Sequence, residues 1–199
     1  MSDNKDTGAR DTKQRIVTAG TELFRRRGYA GTGMKQIAEA AGAPFGSIYH
    51  FFPGGKAQLG EEVIRTSGAV YLGLVAELLD PHEDRAAATG DFFTAAAGTL
   101  SDLDFADPCP IATVALEVAS TNEQLRLATS EIFDSWIDGL AAYYAAGGIP
   151  EPAARETASS VIALLEGAFM LGRAARSTAP VLAAGRAAAA IVRAVLADE

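Results

Sequence analysis

The sequence is poor in the residues that build disulfides, metal centres and many active sites. Its 199 residues include one cysteine, Cys109, and two histidines, His50 and His82. A single cysteine forms no intrachain disulfide, and these three residues do not suffice for a zinc cluster. The scarcity of cysteine fits a reducing compartment, and we predict neither a metal site nor a cofactor.

Long uncharged runs are also missing. The longest, residues 40–55, holds 16 residues and contains turn formers, and residues 139–150 hold 12, whereas a membrane-spanning helix needs about 20 apolar residues. The polar N-terminal segment MSDNKDTGARDTKQR has no apolar stretch like that of a secretory signal. We therefore expect a cytoplasmic protein with no membrane partner.

Groups of residues typical of enzymes are absent as well. Cys109, His82 and the scattered carboxylates show no recognised nucleophile–base spacing, and there is no glycine-rich phosphate loop. An enzyme is therefore the least favoured class of protein.

Charge is distributed unevenly along the chain. The net charge of the chain is −8. Residues 1–60 carry nine Lys/Arg and five Asp/Glu, a net charge of +4, whereas residues 61–199 carry eight Lys/Arg and twenty Asp/Glu, a net charge of −12. A basic module can approach phosphates, whereas an acidic body is repelled by them. The alternative is a chance distribution of surface charge.

Helical periodicity dominates the sequence, and strand signals are nearly absent. We predict an all-α fold of about nine helices with a flexible polar arm at 1–10, a small three-helix domain at 11–55 and a larger domain at 56–199. The predicted helices span residues 11–27, 33–41, 44–51, 56–79, 84–101, 108–120, 122–146, 151–176 and 180–197.

Two short helices near the N-terminus are joined by a turn at Gly42. Helices of about eight residues are not stable alone, so they must pack on the preceding helix. Three such helices, the last one short and near basic residues, are typical of a helix-turn-helix. On periodicity alone, any small three-helix unit remains an alternative.

The residues themselves favour DNA binding. Residues 13–59 read KQRIVTAGTELFRRRGYAGTGMKQIAEAAGAPFGSIYHFFPGGKAQL. This segment resembles the N-terminal domain of the tetracycline-repressor (TetR) family. The APFGS and FPGGK motifs, together with CPIATVALE at 109–117, resemble sequences of the branch that includes lincomycin-resistance repressors. The resemblance implies an all-α homodimer with a regulatory ligand.

The resemblance also implies a set of DNA contacts. Thr32 and Lys35 would meet a phosphate and Gln36 a base edge or phosphate. Ser47 would bond a base or phosphate, and Gly46 would let the recognition helix approach the groove. Tyr49, His50 and Lys56 would contact phosphates. The full predicted set is Thr32, Lys35, Gln36, Phe45, Gly46, Ser47, Tyr49, His50 and Lys56.

Phe45 departs from the family pattern, which often has a polar or basic residue at this position. Its ring either packs on a thymine methyl or lies against the turn. Ile48 and Phe52 fall on the buried face, and we predict that both are core residues.

The last two predicted helices are apolar on more than one face, so we expect one face to meet a partner. They resemble the family's dimer-forming pair, which would build a four-helix bundle across a twofold axis; a buried C-terminal hairpin is the alternative. The predicted interface comprises Val161, Leu165, Ala168, Ala188, Ile191 and Val195.

Aromatic and sulfur-bearing residues gather in the middle helices. Most such residues are core, but a few polar groups among them could form a pocket for a small hydrophobic, aromatic ligand. The predicted ligand-binding residues are Phe92, Phe93, Cys109, Thr113, Glu117, Trp136, Tyr143, Glu166, Phe169 and Met170. For Cys109, a redox role competes with a buried structural role.

Taken together, the sequence predicts a ligand-responsive repressor that a small molecule releases from a palindromic operator. The alternatives are a constitutive DNA-binding protein and an activator.

Overall fold

A computed structural model describes residues 3–79, 83–106 and 109–197. Within these ranges the chain forms nine helices and no strand, which confirms the predicted all-α fold. Apart from the start of the first helix, the predicted bounds lie within 2 residues of the observed ones. The helices are α1 (Asp3–Arg27), α2 (Met34–Ala40), α3 (Phe45–Phe51), α4 (Gly55–Leu79), α5 (Arg85–Asp102), α6 (Pro110–Val118), α7 (Glu123–Ala146), α8 (Glu151–Ala175) and α9 (Ala179–Ala197).

The first helix begins earlier than predicted. Residues 3–10, predicted as part of a flexible arm, belong to α1, and residues 1–2 lie outside the described ranges. This segment contains no proline, and its polar residues give no apolar periodicity from which a helix could be recognised. Within it, the carbonyl of Gly8 accepts a hydrogen bond from the Thr12 hydroxyl at 2.9 Å.

Two compact units make up the chain. The first comprises residues 1–68 and 109–132, and the second comprises residues 69–108 and 133–199. These units do not follow the predicted boundary between residues 55 and 56. One reason is that α6 packs against α1, although the two are far apart in the sequence.

The first unit is organised around a core shared by α1, α2, α3 and the first half of α4. Phe24, Ile37, Ile48 and Leu59 are fully buried there. A Cβ added at Gly20 of α1 would lie 3.1 Å from Val63 Cγ2. Gly20 therefore lies where α1 and α4 pack closely, and a side chain there would press on Val63.

The second unit has its core among α5, α8 and α9. Phe93, Val161 and Ala188 are fully buried in one cluster of apolar side chains. A Cβ added at Gly185 of α9 would lie 2.5 Å from the Cβ of Phe93. Gly185 therefore lets α9 come close to α5.

A buried hydrogen-bonded chain joins α5 to α7 within this core. The Thr89 hydroxyl donates to the Arg85 carbonyl at 2.8 Å, and the hydroxyls of Thr89 and Tyr144 are 2.9 Å apart. Because the single hydroxyl proton of Thr89 is committed to Arg85, Tyr144 is the donor to Thr89. Burial raises the pKa of Tyr144 to about 12.

The last two helices carry more apolar residues than the protomer buries. By length and composition alone, α8 and α9 resemble membrane-spanning segments, yet only 33% and 28% of their most apolar stretches are buried. Two helices of this kind are weak support for a membrane span. Both helices do leave apolar surface exposed.

Candidate nucleic-acid interface and regulatory cleft

A glycine turn and a shared core hold α2 and α3 together. Gly42 adopts a φ of +58°, a left-handed conformation that strains residues with a Cβ. Ile48 and Phe52 are 0% and 1% exposed, which confirms that both are core residues. Because one side of the seven-residue helix α3 packs on this core, its other side faces outward.

The outward side of α3 presents aromatic rings. Phe45 and Tyr49 are 48% and 47% exposed, and their centroids lie 5.5 Å apart in an edge-to-face arrangement. The Phe45 ring therefore packs on its neighbour one turn later. His50 is also exposed, with its ring 5.1 Å from that of Phe51, while Ser47 is half-buried.

Gly46 lies on the same outward side. A Cβ added there would meet no atom within 4 Å, and the backbone of Gly46 does not adopt a positive φ. Glycine in a helix is less stable than alanine by about 0.5–1 kcal/mol. Neither packing nor backbone conformation within the protein requires glycine here, and the surface at Gly46 is open to the approach of another molecule.

Thr32 has a different place from the one predicted. Its side chain is 1% exposed, and its hydroxyl donates inward to the Gly28 carbonyl at 2.8 Å, closing the end of α1. A buried hydroxyl committed to a carbonyl is not available to a phosphate. The resemblance identified the position, but the structure gives Thr32 a capping role.

Lys35 and Gln36 lie at the start of α2. The Lys35 side chain is 80% exposed, 3.9 Å from a Glu39 oxygen, so it extends into solvent where a phosphate can approach. Gln36 accepts a hydrogen bond from the Gly33 N–H at 2.8 Å. This bond caps α2 and leaves the Gln36 amide N–H₂ group as a donor.

Lys56 is half-buried rather than extended. Its ammonium lies 4.3 Å from the centroid of the Tyr29 ring, a cation–π geometry. Burial lowers the pKa of Lys56, while the negative charge of Glu117 acts in the opposite direction. The contact between Lys56 and a phosphate stays a prediction.

Three predicted ligand-binding residues lie in the first unit, on or beside α6. Cys109 is buried and its sulfur caps α6 by accepting from the Ala112 N–H at 3.4 Å. The Thr113 hydroxyl donates to the Cys109 carbonyl at 3.2 Å. The Glu117 carboxylate accepts from the N–H groups of Tyr29 and Ala30. All three therefore have structural partners within the first unit.

The other predicted ligand-binding residues lie in the second unit. Phe92, Phe93, Trp136 and Phe169 are core side chains, Glu166 and Tyr143 are half-buried, and Met170 is exposed.

A cleft in the second unit lies between the last turns of α4 and the C-terminal half of α7. Its volume is about 400 Å³, and among the described residues that line it, the polar side chains are those of Glu77 and Tyr143. The Tyr143 hydroxyl donates to the Leu79 carbonyl at 3.1 Å, and the Arg85 guanidinium lies 4.1 Å from the Tyr143 ring centroid. The lining residues are Leu72, Val75, Ala76, Glu77, Leu79, Gly139, Leu140 and Tyr143.

Of the predicted ligand-binding residues, only Tyr143 lines this cleft. The spacing of Leu72, Val75, Ala76 and Leu79 could have pointed to it, since these residues share one face of a helix.

Most of the predicted dimer residues lie inside the protomer. Val161, Leu165, Ala168 and Ala188 are buried in the core of the second unit. Side chains with so little exposed surface contribute little to a contact with a partner. Of the predicted set, Ile191 is exposed and Val195 half-buried. The large apolar residues exposed on the same two helices are Met170, Leu171, Leu182 and Ile191.

Comparison with known proteins agrees with this arrangement. Residues 16–63 match the family of bacterial regulatory proteins of the TetR type. Residues 86–187 match the C-terminal domain of LmrA/YxaF-like transcriptional regulators.

Two regulators of Bacillus subtilis are similar to the chain over most of its length. The HTH-type transcriptional regulator YxaF is 30% identical over 88% of this chain and 92% of its own. The HTH-type transcriptional regulator LmrA is 31% identical over 86% and 92%. The crystal structure of a regulatory protein TetR from Rhodobacter sphaeroides, 21% identical, shares the fold with a TM-score of 0.79, over 88% of this chain and 96% of that one.

The outward face of α3, together with these matches to transcriptional regulators, identifies a DNA-binding transcriptional regulator and not an enzyme. The chain belongs to the TetR family, in the group with LmrA/YxaF-like C-terminal domains. The family assignment made from the sequence is thereby confirmed.

Proposed function

We propose that the protein is a cytoplasmic, homodimeric repressor that a small hydrophobic, aromatic molecule releases from a palindromic operator. The observation that carries the DNA-binding part is the open face of α3, where Gly46 leaves space for another molecule. In a helix-turn-helix dimer, each recognition helix enters the major groove of one half-site. The half-sites should therefore be related by twofold symmetry.

Dimerisation through α8 and α9 is supported by the apolar residues that the protomer leaves exposed. Leu171 is 59% exposed, and Met170, Leu182 and Ile191 lie on the same helix pair. Pairing two copies of α8 and α9 would cover these side chains in a four-helix bundle. We assign the interface to this exposed set in place of the buried residues.

The dimer can be tested with Leu171→Glu and the matched control Leu116→Glu, which changes an 80% exposed leucine of the first unit. A charge buried at the interface opposes association, so the Leu171 variant should sediment as a folded monomer. The control should remain a dimer. A Leu171 variant that stays dimeric would place the interface elsewhere.

Ligand binding is supported by the cleft between α4 and α7. Its volume of about 400 Å³ falls within the usual range for small-molecule sites, about 300–1,000 Å³. The aliphatic lining suits an apolar ligand, and Glu77 and Tyr143 offer polar contacts.

Helix α4 is the proposed route from the cleft to DNA. Its first turn carries Lys56 and its last turns line the cleft. A ligand changes DNA affinity only if it binds the two states of the protein with different affinity. The usual coupling of about 1–3 kcal/mol corresponds to about 5- to 150-fold in affinity.

Selection of duplexes from a random DNA pool, followed by footprinting, tests the proposal. We expect an inverted repeat. Lys35→Ala should weaken binding to all sequences and lower the salt slope by about one unit, whereas Ser47→Ala should alter base preference. Recovery of no preferred sequence would contradict operator recognition.

The regulatory part is tested by gel shift and thermal shift with a panel of aromatic compounds. An inducer should both stabilise the protein and release the selected duplex. Compounds that stabilise the protein without changing DNA affinity would contradict the role of α4. If none binds, the constitutive alternative is favoured. Whether the bound protein represses or activates is read from a reporter gene carrying the selected site.

A further inference from the structure

The turn that leaves α1 is bound to α6 by a carboxylate. Glu117 accepts a hydrogen bond from the Tyr29 N–H at 3.1 Å and another from the Ala30 N–H at 2.6 Å. The two bonds go to different carboxylate oxygens, Oε1 and Oε2. One side chain therefore fixes two consecutive peptide groups, although 87 residues separate it from Ala30.

The turn is shaped to receive this carboxylate. Gly28 adopts a φ of +75°, which favours glycine, and a Cβ at this position would overlap Glu117 Oε1. Successive backbone N–H groups in a turn form a concavity that binds anions. Glu117 occupies this concavity, which lies beside the Tyr29 ring that the Lys56 ammonium contacts.

The same turn leads directly into the helix-turn-helix. Thr32, which caps α1 through the Gly28 carbonyl, precedes the Gly33–Gln36 bond that caps α2. The position of the turn therefore sets where α2 begins, and α3 packs on α2.

We propose that Glu117 is a positioning residue for DNA recognition: its carboxylate anchors the α1–α2 turn to α6 and so holds α2 and α3 in the arrangement that reads the operator. This inference rests on the proposed function. It assigns Glu117 to the first unit's DNA-binding machinery rather than to ligand binding.

Electrostatics and anchoring predict opposite signs for the loss of this carboxylate. Removing a negative charge close to Lys56 should, through charge alone, strengthen binding to DNA. An exposed concavity would add to that gain if a DNA phosphate entered it. Loss of the anchor should instead weaken binding to the operator, because the turn and the helices that follow it are no longer held. The sign of the change therefore separates the two roles.

The experiment compares Glu117→Ala, Glu117→Gln and Glu123→Gln on the selected operator and on a scrambled duplex. Glu123 is the matched control, since it belongs to the same unit and pairs with Arg126 on the surface. The Ala variant should lose about ten- to hundredfold in operator affinity, as expected for losing hydrogen bonds to a charged group, with scrambled-duplex affinity unchanged or higher. The Gln variant, which keeps one carbonyl acceptor, should lose less. The control should bind like the wild type.

Amide hydrogen exchange supplies a second readout. Exchange of the Tyr29 and Ala30 amides should speed up in Glu117→Ala and stay unchanged in the control. If the Ala variant does not fold, the Gln variant is judged by the same two measurements. Equal or tighter operator binding by a folded Glu117 variant would overturn the proposal. Failure of the wild type to select any sequence would instead contradict the proposed operator recognition.

Discussion

Substitution of Gly46 by alanine should separate stability from DNA recognition. The added methyl group meets no protein atom within 4 Å, and the backbone does not adopt a positive φ there. Replacing glycine by alanine at a compatible position stabilises a protein by about 0.4–1 kcal/mol, chiefly by restricting the unfolded chain. The variant should therefore unfold at a slightly higher denaturant concentration than the wild type.

Operator binding should change in the opposite direction. If DNA packs against Gly46, the methyl group overfills that contact, at a cost of about 1–3 kcal/mol by analogy with overpacked cores. This cost corresponds to about 5- to 150-fold in the dissociation constant. Fluorescence anisotropy on the selected operator measures the loss, and urea unfolding measures the gain.

Gly98→Ala is the matched control. A Cβ added at Gly98 would likewise meet no atom within 4 Å, but this residue lies in α5, within the second unit. The control should gain stability and bind DNA like the wild type. Unchanged operator affinity in the Gly46 variant would refute the close approach, and equal losses in both variants would indicate an indirect effect.

Three further predictions follow from buried hydroxyl groups. Thr89→Val should lower the free energy of unfolding by about 1–3 kcal/mol, because it leaves the buried Tyr144 hydroxyl without an acceptor, whereas Tyr144→Phe should lower it by only about 0.5–1.5 kcal/mol. Urea unfolding at one protein concentration compares the two variants. A larger loss for Tyr144→Phe would contradict the assignment of Tyr144 as the donor. Since burial raises the pKa of Tyr144 to about 12 from about 10 in the unfolded chain, its stabilising effect is complete below about pH 10 and is lost as the pH rises through about 12. The difference in unfolding free energy between the wild type and Tyr144→Phe should therefore shrink above about pH 10. A difference that stays constant up to about pH 11.5 would show that the pKa of Tyr144 is not raised in the folded protein. Thr32→Val should lower stability by about 1 kcal/mol and leave the salt slope of DNA binding unchanged, whereas a slope lower by about one unit would restore Thr32 as a phosphate contact.

The helices were predictable because glycine and proline mark their ends. Gly42 and Pro44 separate α2 from α3, and Pro53 precedes α4, so local rules sufficed for these bounds. The start of α1 was missed because residues 3–10 carry no apolar periodicity. A helix without an apolar face gives no signal of this kind.

Side-chain roles that depend on distant partners were not predictable. Glu117 lies on a short helix, and its partners Tyr29 and Ala30 are far away in the sequence. Periodicity groups Val161 and Leu165 on one face of α8, but it does not say whether that face meets the protomer's own core or a second copy. The structure places both in the core. The exposed apolar residues of α8 and α9, such as Leu171, can be identified only after that core has been assigned.

The single tryptophan of the chain has a consequence for spectroscopy. Trp136 lies in the second unit, with its ring centroid 6.1 Å from that of Tyr71 and 5.6 Å from that of Phe133. It precedes the cleft residues Gly139 and Tyr143 on α7 by one and two helical turns. Its emission therefore comes from the second unit, and the helix-turn-helix contributes no tryptophan signal. A ligand that changes the surroundings of Trp136 would be seen at this one fluorophore, with DNA binding followed in parallel by a label on the duplex.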